Sequence, residues 1–269
     1  MVPILLALAA QAAAPAPPPA YGLPLIGAEA EEFLRSAEIQ QVKYFDTKGV
    51  TKPRRVVLSD GTRTLRAIFK DIDEYQPKKV LADGDVLIPF RDTFRHEIAA
   101  YEVDKLIGLD MVPPCVKRRI QRDVGSLCMW VEGTMTEWER KMERKIDPPD
   151  MREWNDQMYT VRLFEQLIYD SDYKNISNLL VDPDFKIYKV DSSRAFRTNC
   201  KLRKESSLPR FSRSIVEGLR SLTREKAEAR LGEWLTKGQI NGLMARRDRI
   251  LELVEERVAE RGEAAVLYP

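Results

Sequence analysis

The chain has a single histidine, His96, and an odd count of three cysteines, Cys115, Cys128 and Cys200. A lone imidazole offers no partner for a nucleophilic triad or a histidine-based metal centre, so His96 reads as structural. The cysteines lack the paired spacing of a zinc site. They fit three buried thiols, or one disulfide and a spare thiol if the protein is exported. Long apolar runs are absent too. The best, Pro3 to Ala14, falls short of the ~20 residues a membrane-spanning helix needs. Nor does one sign of charge dominate: 44 Lys and Arg face 42 Asp and Glu, for a net charge of +2. That balance gives no reason to propose a nucleic-acid partner. The runs Glu137 to Lys145 and Glu255 to Glu263 carry both signs and read as solvated helix faces. No internal repeat is present. What remains is a globular composition, 43% apolar and 32% charged over 269 residues. This is enough for one large domain or two lobes around a sizeable core.

Residues 1–24 stand apart. The apolar, small-residue stretch Pro3 to Ala14 carries Ala10-Gln11-Ala12 as a cleavage-like site, and Ala13 to Pro24 is a proline-rich tether. The pattern resembles a secretory leader, although no Lys or Arg precedes the apolar run. It implies export to a periplasmic or extracellular space; read as a plain Ala/Pro tail, it leaves a cytoplasmic protein.

The first half reads as strands with two helices. Glu29 to Ser36 predicts a short helix and Ile39 to Tyr44 a strand. Asp46 to Pro53 is a turn-rich loop with one glycine, Gly49. Arg54 to Leu58 and Arg63 to Lys70 predict a hairpin, with Asp60-Gly61 supplying a tight two-residue turn. In the return strand Leu65, Ala67 and Phe69 alternate against Arg66, Ile68 and Lys70. Asp92 to Ile107 predicts a helix with a buried face, Gly108 as its C′ residue and Pro113-Pro114 as a block beyond it. Glu97 lies at the border of that apolar stripe, within reach of Lys70. Cys115 to Arg122 and Leu127 to Val131 predict two strands around an Asp123-Val124-Gly125-Ser126 turn. Trp130 is assigned to the core, and Val131-Glu132-Gly133 hands over to a helical half.

From Thr134 the pattern turns helical almost throughout. Arg152 to Tyr169 predicts a buried helix; Ser212 to Leu222, Thr223 to Leu235 and Lys237 to Glu260 predict three more. Ala245-Arg246-Arg247 reads as a surface coat. The chemistry lies between these helices, in Leu167 to Phe196. A polar loop holds Asp170, Asp172, Asn175 and Asn178. A hairpin comes next, from Leu179-Leu180-Val181 through an Asp182-Pro183-Asp184 turn to Phe185–Val190, and delivers Asp191. Mg²⁺ takes oxygen ligands, commonly one or two carboxylates plus phosphate oxygens, which Asn178 and Asp191 complement. The same composition also fits an Asx-rich turn.

Two stretches carry a resemblance to a known family. His96-Glu97-Ile98-Ala99-Ala100-Tyr101-Glu102-Val103-Asp104-Lys105-Leu106-Ile107-Gly108, closing in Val112-Pro113-Pro114, is similar to the pattern Glu-x-Ala-Ala-aromatic-x-x-Asp-Arg-x-Leu-Gly…Val-Pro-Pro. Leu167 to Leu180 and Val190-Asp191-Ser192-Ser193-Arg194-Ala195-Phe196 are similar to Asn-x-Asp-Arg-x-x-x-Asn-Leu-Leu and Ile-Asp-x-x-Arg-Ala-Phe. Together they resemble the atypical kinase superfamily of phosphoinositide-kinase-like, HipA-like and four-jointed-type secretory kinases. The resemblance implies a two-lobed α+β kinase-like fold, with a β-rich N-lobe over residues 25–132 and a helical C-lobe over 133–269. It implies ATP and Mg²⁺ as cofactors and transfer of a γ-phosphoryl group to a hydroxyl of a protein, sugar or lipid headgroup. Lys70 would bind phosphates and Glu97 would hold Lys70. Asp172 would be the base, Asn178 and Asp191 the metal ligands, with Gly49 and Val131 bordering the nucleotide. Asp172 precedes Asn178 by six residues where the family has five, and Tyr173 replaces an arginine. A pseudokinase that binds nucleotide or protein without transfer is the alternative. The protein is expected to act as a monomer.

Overall fold

The computed structural model describes residues 21–45, 52–80, 84 and 86–269. The leader, through Ala20, and the Gly49 loop lie outside the described residues. The first half is built on a five-stranded antiparallel sheet of order β1-β2-β3-β9-β8. Its strands are β1 (Glu38–Tyr44), β2 (Arg54–Ser59), β3 (Thr64–Lys70), β8 (Cys115–Ile120) and β9 (Asp123–Met129). Alternation decides what each face does. Val56, Leu58, Leu65, Ala67, Phe69, Leu127 and Met129 are buried in one cluster with Ala30, Phe33 and Leu34 of α1 (Gly27–Ser36). The residues between them, Ile68 and Lys70, look the other way, into a cleft.

Between β3 and the next helix lie two short pairs. These are β4 (Asp73–Gln76) with β7 (Phe90–Thr93), and β5 (Lys79–Val80) with β6 (Val86–Leu87). Thr93 then caps α2 (Phe94–Ile107), accepting the Arg95 N–H. This helix is buried nearly all round, with the sheet on one side and the later helices on the other. Gly108 ends it in the left-handed conformation, φ 67°, which glycine adopts without a Cβ penalty. Asp104 organises the turn beyond the helix, accepting from the backbone N–H groups of Asp110, Met111 and Val112 at 3.2, 2.9 and 2.8 Å. Burial raises its pKa to about 6 even against those three donors.

The second half begins with β10 (Met135–Thr136) and a π-helical turn, Glu139–Arg144. The largely helical pattern expected from Thr134 therefore opens on a short strand. Then come α3 (Met151–Leu167), β11 (Leu179–Val181), β12 (Ile187–Lys189), β13 (Phe211–Ser212), α4 (Arg213–Ser221), α5 (Arg224–Leu231), α6 (Lys237–Arg261), α7 (Glu263–Val266) and β14 (Leu267–Tyr268). The three predicted helices appear within a few residues of their expected ends. One core joins α2 to α3, α4, α5 and α6.

Four local expectations change. The β2–β3 loop is four residues long, Asp60 to Arg63, because Asp60 accepts from the backbone N–H groups of Thr62 and Arg63 and holds a wider turn. The two-residue turn is instead Gln121-Arg122, and Asp123–Ser126 is strand. Cys115 and Cys128, opposite each other on β8 and β9, form a disulfide, leaving Cys200 exposed and free. Arg246 is fully buried, its guanidinium donating to the backbone carbonyls of Leu167, Arg197 and Asn199. Carbonyl acceptors let a charge enter the core without a carboxylate partner.

Candidate functional site

A cleft of about 500 Å³ lies between the cleft face of the sheet and the β11–β12 hairpin. Phe45, Ile68, Trp130 and Val131 line its apolar end, and Lys70, Glu97, Asn178 and Asp191 its polar end. Trp130 is therefore not core. It stacks on Phe45, ring centroids 5.7 Å apart, with Arg55 and Arg66 over its indole. The disulfide forms part of the wall.

Strand register delivers Lys70. Its backbone pairs with Ser126 of β9, and a Cβ on the neighbouring Gly125 would lie 2.2 Å from the Lys70 carbonyl oxygen. Only glycine allows that approach. Lys70 Nζ lies 2.6 Å from Glu97 Oε1 and 2.8 Å from Asp191 Oδ1. Glu97 Oε2 accepts the Ser192 N–H at 3.1 Å, so one carboxylate joins β3, α2 and the segment after β12. Asp191 sits at φ 58°, a left-handed conformation that Asp adopts more readily than most residues. Ser193 Oγ donates to its Oδ1 at 3.2 Å. Burial alone would lower the Lys70 pKa, but the Asp191 and Glu97 carboxylates raise it, so the ammonium is permanent. Enclosure by the cleft opposes charge on Asp191, although its side chain is 40% exposed, yet Lys70 draws its pKa down to about 2. Burial and the Asp191 charge push Glu97 up.

The floor is a loop. Asp170 and Lys189 form a fully buried pair at 2.9 Å beneath it. Asp170 Oδ1 also accepts the Asp172 N–H at 2.9 Å, which turns the chain back on itself. Asn178 Nδ2 donates to Asp172 Oδ2 at 3.0 Å, and Asn175 Nδ2 reaches the same oxygen and Asn178 Oδ1, each at 3.3 Å. The longer spacing is absorbed by a 3₁₀ turn, Ile176–Asn178, capped by Asn175. Six residues therefore still bring Asp172 and Asn178 together. Asn178 O accepts the Val190 N–H at 2.9 Å, which places Asn178 beside Asp191.

The structure thus gathers Lys70, Glu97, Asn178 and Asp191 in one cleft, with Val131 at its apolar end and Asp172 bonded to Asn178. Gly49 lies outside the described residues. Sequence reasoning missed Lys189, Phe45 and the Ser192 amide, and assigned no role to Arg194. Arg194 bonds Asp92 at 2.9 Å and comes within 4.0 Å of Asp172. Its place in the Arg-Ala-Phe motif was the available signal.

The donor set suits a hard cation that completes its shell elsewhere. Asn178 offers an amide oxygen and Asp191 a half-exposed carboxylate, balanced by Lys70. Among the described residues no cluster of three or more His, Cys, Asp or Glu could hold a metal unaided. Oxygen ligands from one carboxylate, phosphates and water are the usual Mg²⁺ arrangement, and the residues present fit it.

The fold is a two-lobed, kinase-like α+β fold. Hydra Fam20, solved with sugar, is similar in fold, with a TM-score of 0.63 at 16% identity over 88% of this chain and 90% of that one. The Helicobacter pylori proinflammatory kinase CtkA matches with a TM-score of 0.43 at 13% identity over 85% and 98% of the two chains. The Neurospora crassa PAN3 pseudokinase matches at 0.31 and 11% over 84% and 67%. No protein-family model and no curated protein sequence matches the chain.

Proposed function

We propose that the protein is an ATP- and Mg²⁺-dependent phosphotransferase with a hydroxyl acceptor, working as a monomer with an N-lobe over 25–132 and a C-lobe over 133–269. One observation carries the reading: Lys70 is held by Glu97 and Asp191 in a cleft that also contains Asn178. A bound Mg²⁺–nucleotide supplies the phosphoryl group and neutralises charge on its oxygens. Lys70 binds phosphate oxygens, Glu97 fixes Lys70, and Asn178 and Asp191 hold the metal. Asp172 orients the acceptor hydroxyl and takes its proton as the bond from phosphorus to the acceptor oxygen forms and that to ADP breaks. Phe45, Ile68, Trp130 and Val131 give the base an apolar berth. The acceptor belongs to a protein, a sugar or a lipid headgroup.

The Cys115–Cys128 disulfide supports an exported protein, since such bonds persist in oxidising compartments. No described helix is long and apolar enough to cross a membrane. One observation favours a second reading, a nucleotide- or protein-binding pseudokinase: Asp172 Oδ2 is already occupied by two side-chain amides. Phosphate release and autophosphorylation, measured for wild type beside Asp172→Asn, separate the two. Turnover lost in the variant supports transfer. Nucleotide binding without turnover in wild type supports the pseudokinase.

A further inference from the structure

His96 precedes Glu97 on α2, is 1% exposed, and takes no part in the proposed transfer. Its surroundings nevertheless fix the state of each ring nitrogen, and Gln239 decides it. In the capping box that opens α6, Gln239 Oε1 accepts the Thr236 N–H at 2.9 Å. Its amide nitrogen must then face the Phe196 carbonyl at 2.8 Å and His96 Nε2 at 2.9 Å. An amide nitrogen only donates, so Nε2 accepts and carries no proton. Nδ1, 2.9 Å from the Ser193 carbonyl, carries the proton and donates it. That carbonyl also accepts the Thr93 N–H at 3.0 Å. With Ser192 N bonded to Glu97, three residues of the first turn of α2 and its cap grip the two residues directly after Asp191.

We propose that His96 is a positioning residue for Asp191: its Nδ1–H, with the Thr93 amide and the Glu97 carboxylate, fixes the Ser192–Ser193 backbone and so keeps the left-handed Asp191 in the cleft. The inference rests on the metal role proposed above. Groups that hold the partners of a metal ligand commonly matter about 10- to 100-fold to metal affinity. Burial, with Arg91 of β7 and Arg197, keeps the imidazole neutral against the pull of the Ser193 carbonyl and Asp73 of β4. Protonation would set an Nε2–H against the Gln239 amide and break the clamp.

The single histidine makes the test direct. Nitrogen-15 NMR of the full-length protein should find a neutral Nδ1–H imidazole at pH 7. Calorimetric titration with a non-hydrolysable ATP analogue, with and without Mg²⁺, should then show His96→Leu losing about tenfold or more of the affinity gained from Mg²⁺. Its Mg²⁺-free affinity should stay as in wild type. His96→Asn, whose amide can present an N–H to Ser193, should restore most of the gain. Gln239→Ala frees Nε2 to take the proton and should lose part of the gain, which keeps the test decisive if His96→Leu does not fold. A purely structural histidine would lower the Tm of these variants and leave the Mg²⁺ gain intact. That result, or an Nε2–H imidazole in wild type, overturns the inference alone. A wild type that gains nothing from Mg²⁺ removes the functional reading and this inference with it.

Discussion

Lys70 and Asp172 serve one cleft but are held by different kinds of structure. Lys70 sits on a strand whose register is fixed by β9, by an apolar face packed on α1, and by a glycine with no room for a Cβ. Its charge is locked between two carboxylates. Asp172 stands on a loop fixed by side-chain amides and a single 3₁₀ turn, with a buried ion pair beneath. The roof is made rigid by burial and pairing; the floor depends on a few partly exposed hydrogen bonds, each worth about 0.5–1.5 kcal/mol. Local opening is drawn from such weakly held regions. Change in the roof should therefore propagate to stability, and change in the floor should stay local.

The largest expected effect is in the roof. Lys70→Met removes the cation between two acids and leaves Glu97, 8% exposed at its side chain, without a counter-charge. From the sequence this substitution should weaken nucleotide affinity more than stability. The structure adds a stability cost of about 3 kcal/mol, to be measured by urea unfolding at pH 7. It should shrink at lower pH as the raised Glu97 takes up a proton. Gly125→Ala comes next. The clash with the Lys70 carbonyl should cost about 1–3 kcal/mol and weaken nucleotide binding through a displaced Lys70; an unchanged unfolding curve would show that β3 and β9 can part freely.

A third test uses pH. Burial lowers His96 to about 4, below an unfolded value near 6.5. The unfolded chain therefore binds the extra proton first, and this contribution is full above pH ~6.5 and is lost as pH falls toward about 4. The difference between wild type and His96→Asn should change by up to about 3 kcal/mol across that window. Asp104 and Glu165, raised by burial to about 6 and 8, titrate in the opposite sense but in both proteins alike. A pH-independent difference would mean His96 is accessible to solvent. The smallest effect belongs to the floor. Asn175→Ala should cost only about 1 kcal/mol of global stability while lowering turnover, read by single-turnover transfer. A large fall in Tm would erase the contrast between roof and floor.

The roof was the more legible part, for the same physical reasons. Period-two alternation put Lys70 opposite Leu65, Ala67 and Phe69, and an amphipathic helix ending at Gly108 put Glu97 at its border. Those signals come from burial, which the sequence pattern records. What was missed depends on long-range geometry. Gly125 looked like a turn residue because the approach of the Lys70 carbonyl has no local signature. Arg246 looked like surface because its acceptors are backbone carbonyls from distant segments. The Cys115–Cys128 pairing needed the position of the Gln121-Arg122 turn, and Asp123 to Ser126 has the composition of a turn although it is strand. In the floor, residue types were legible but their juxtaposition was not, since the 3₁₀ turn that closes the longer spacing depends on the Asn175 cap.

The central claim is that Lys70 and Asp191 act together on one Mg²⁺-bound nucleotide. A double-mutant cycle of Lys70→Met and Asp191→Asn, titrated with the Mg²⁺ complex of a non-hydrolysable ATP analogue, tests it most directly. The account predicts measurable binding to wild type, loss of the Mg²⁺-dependent part in Asp191→Asn, and a double variant no weaker than the worse single one. No binding to wild type, or two small losses that simply add, would contradict it.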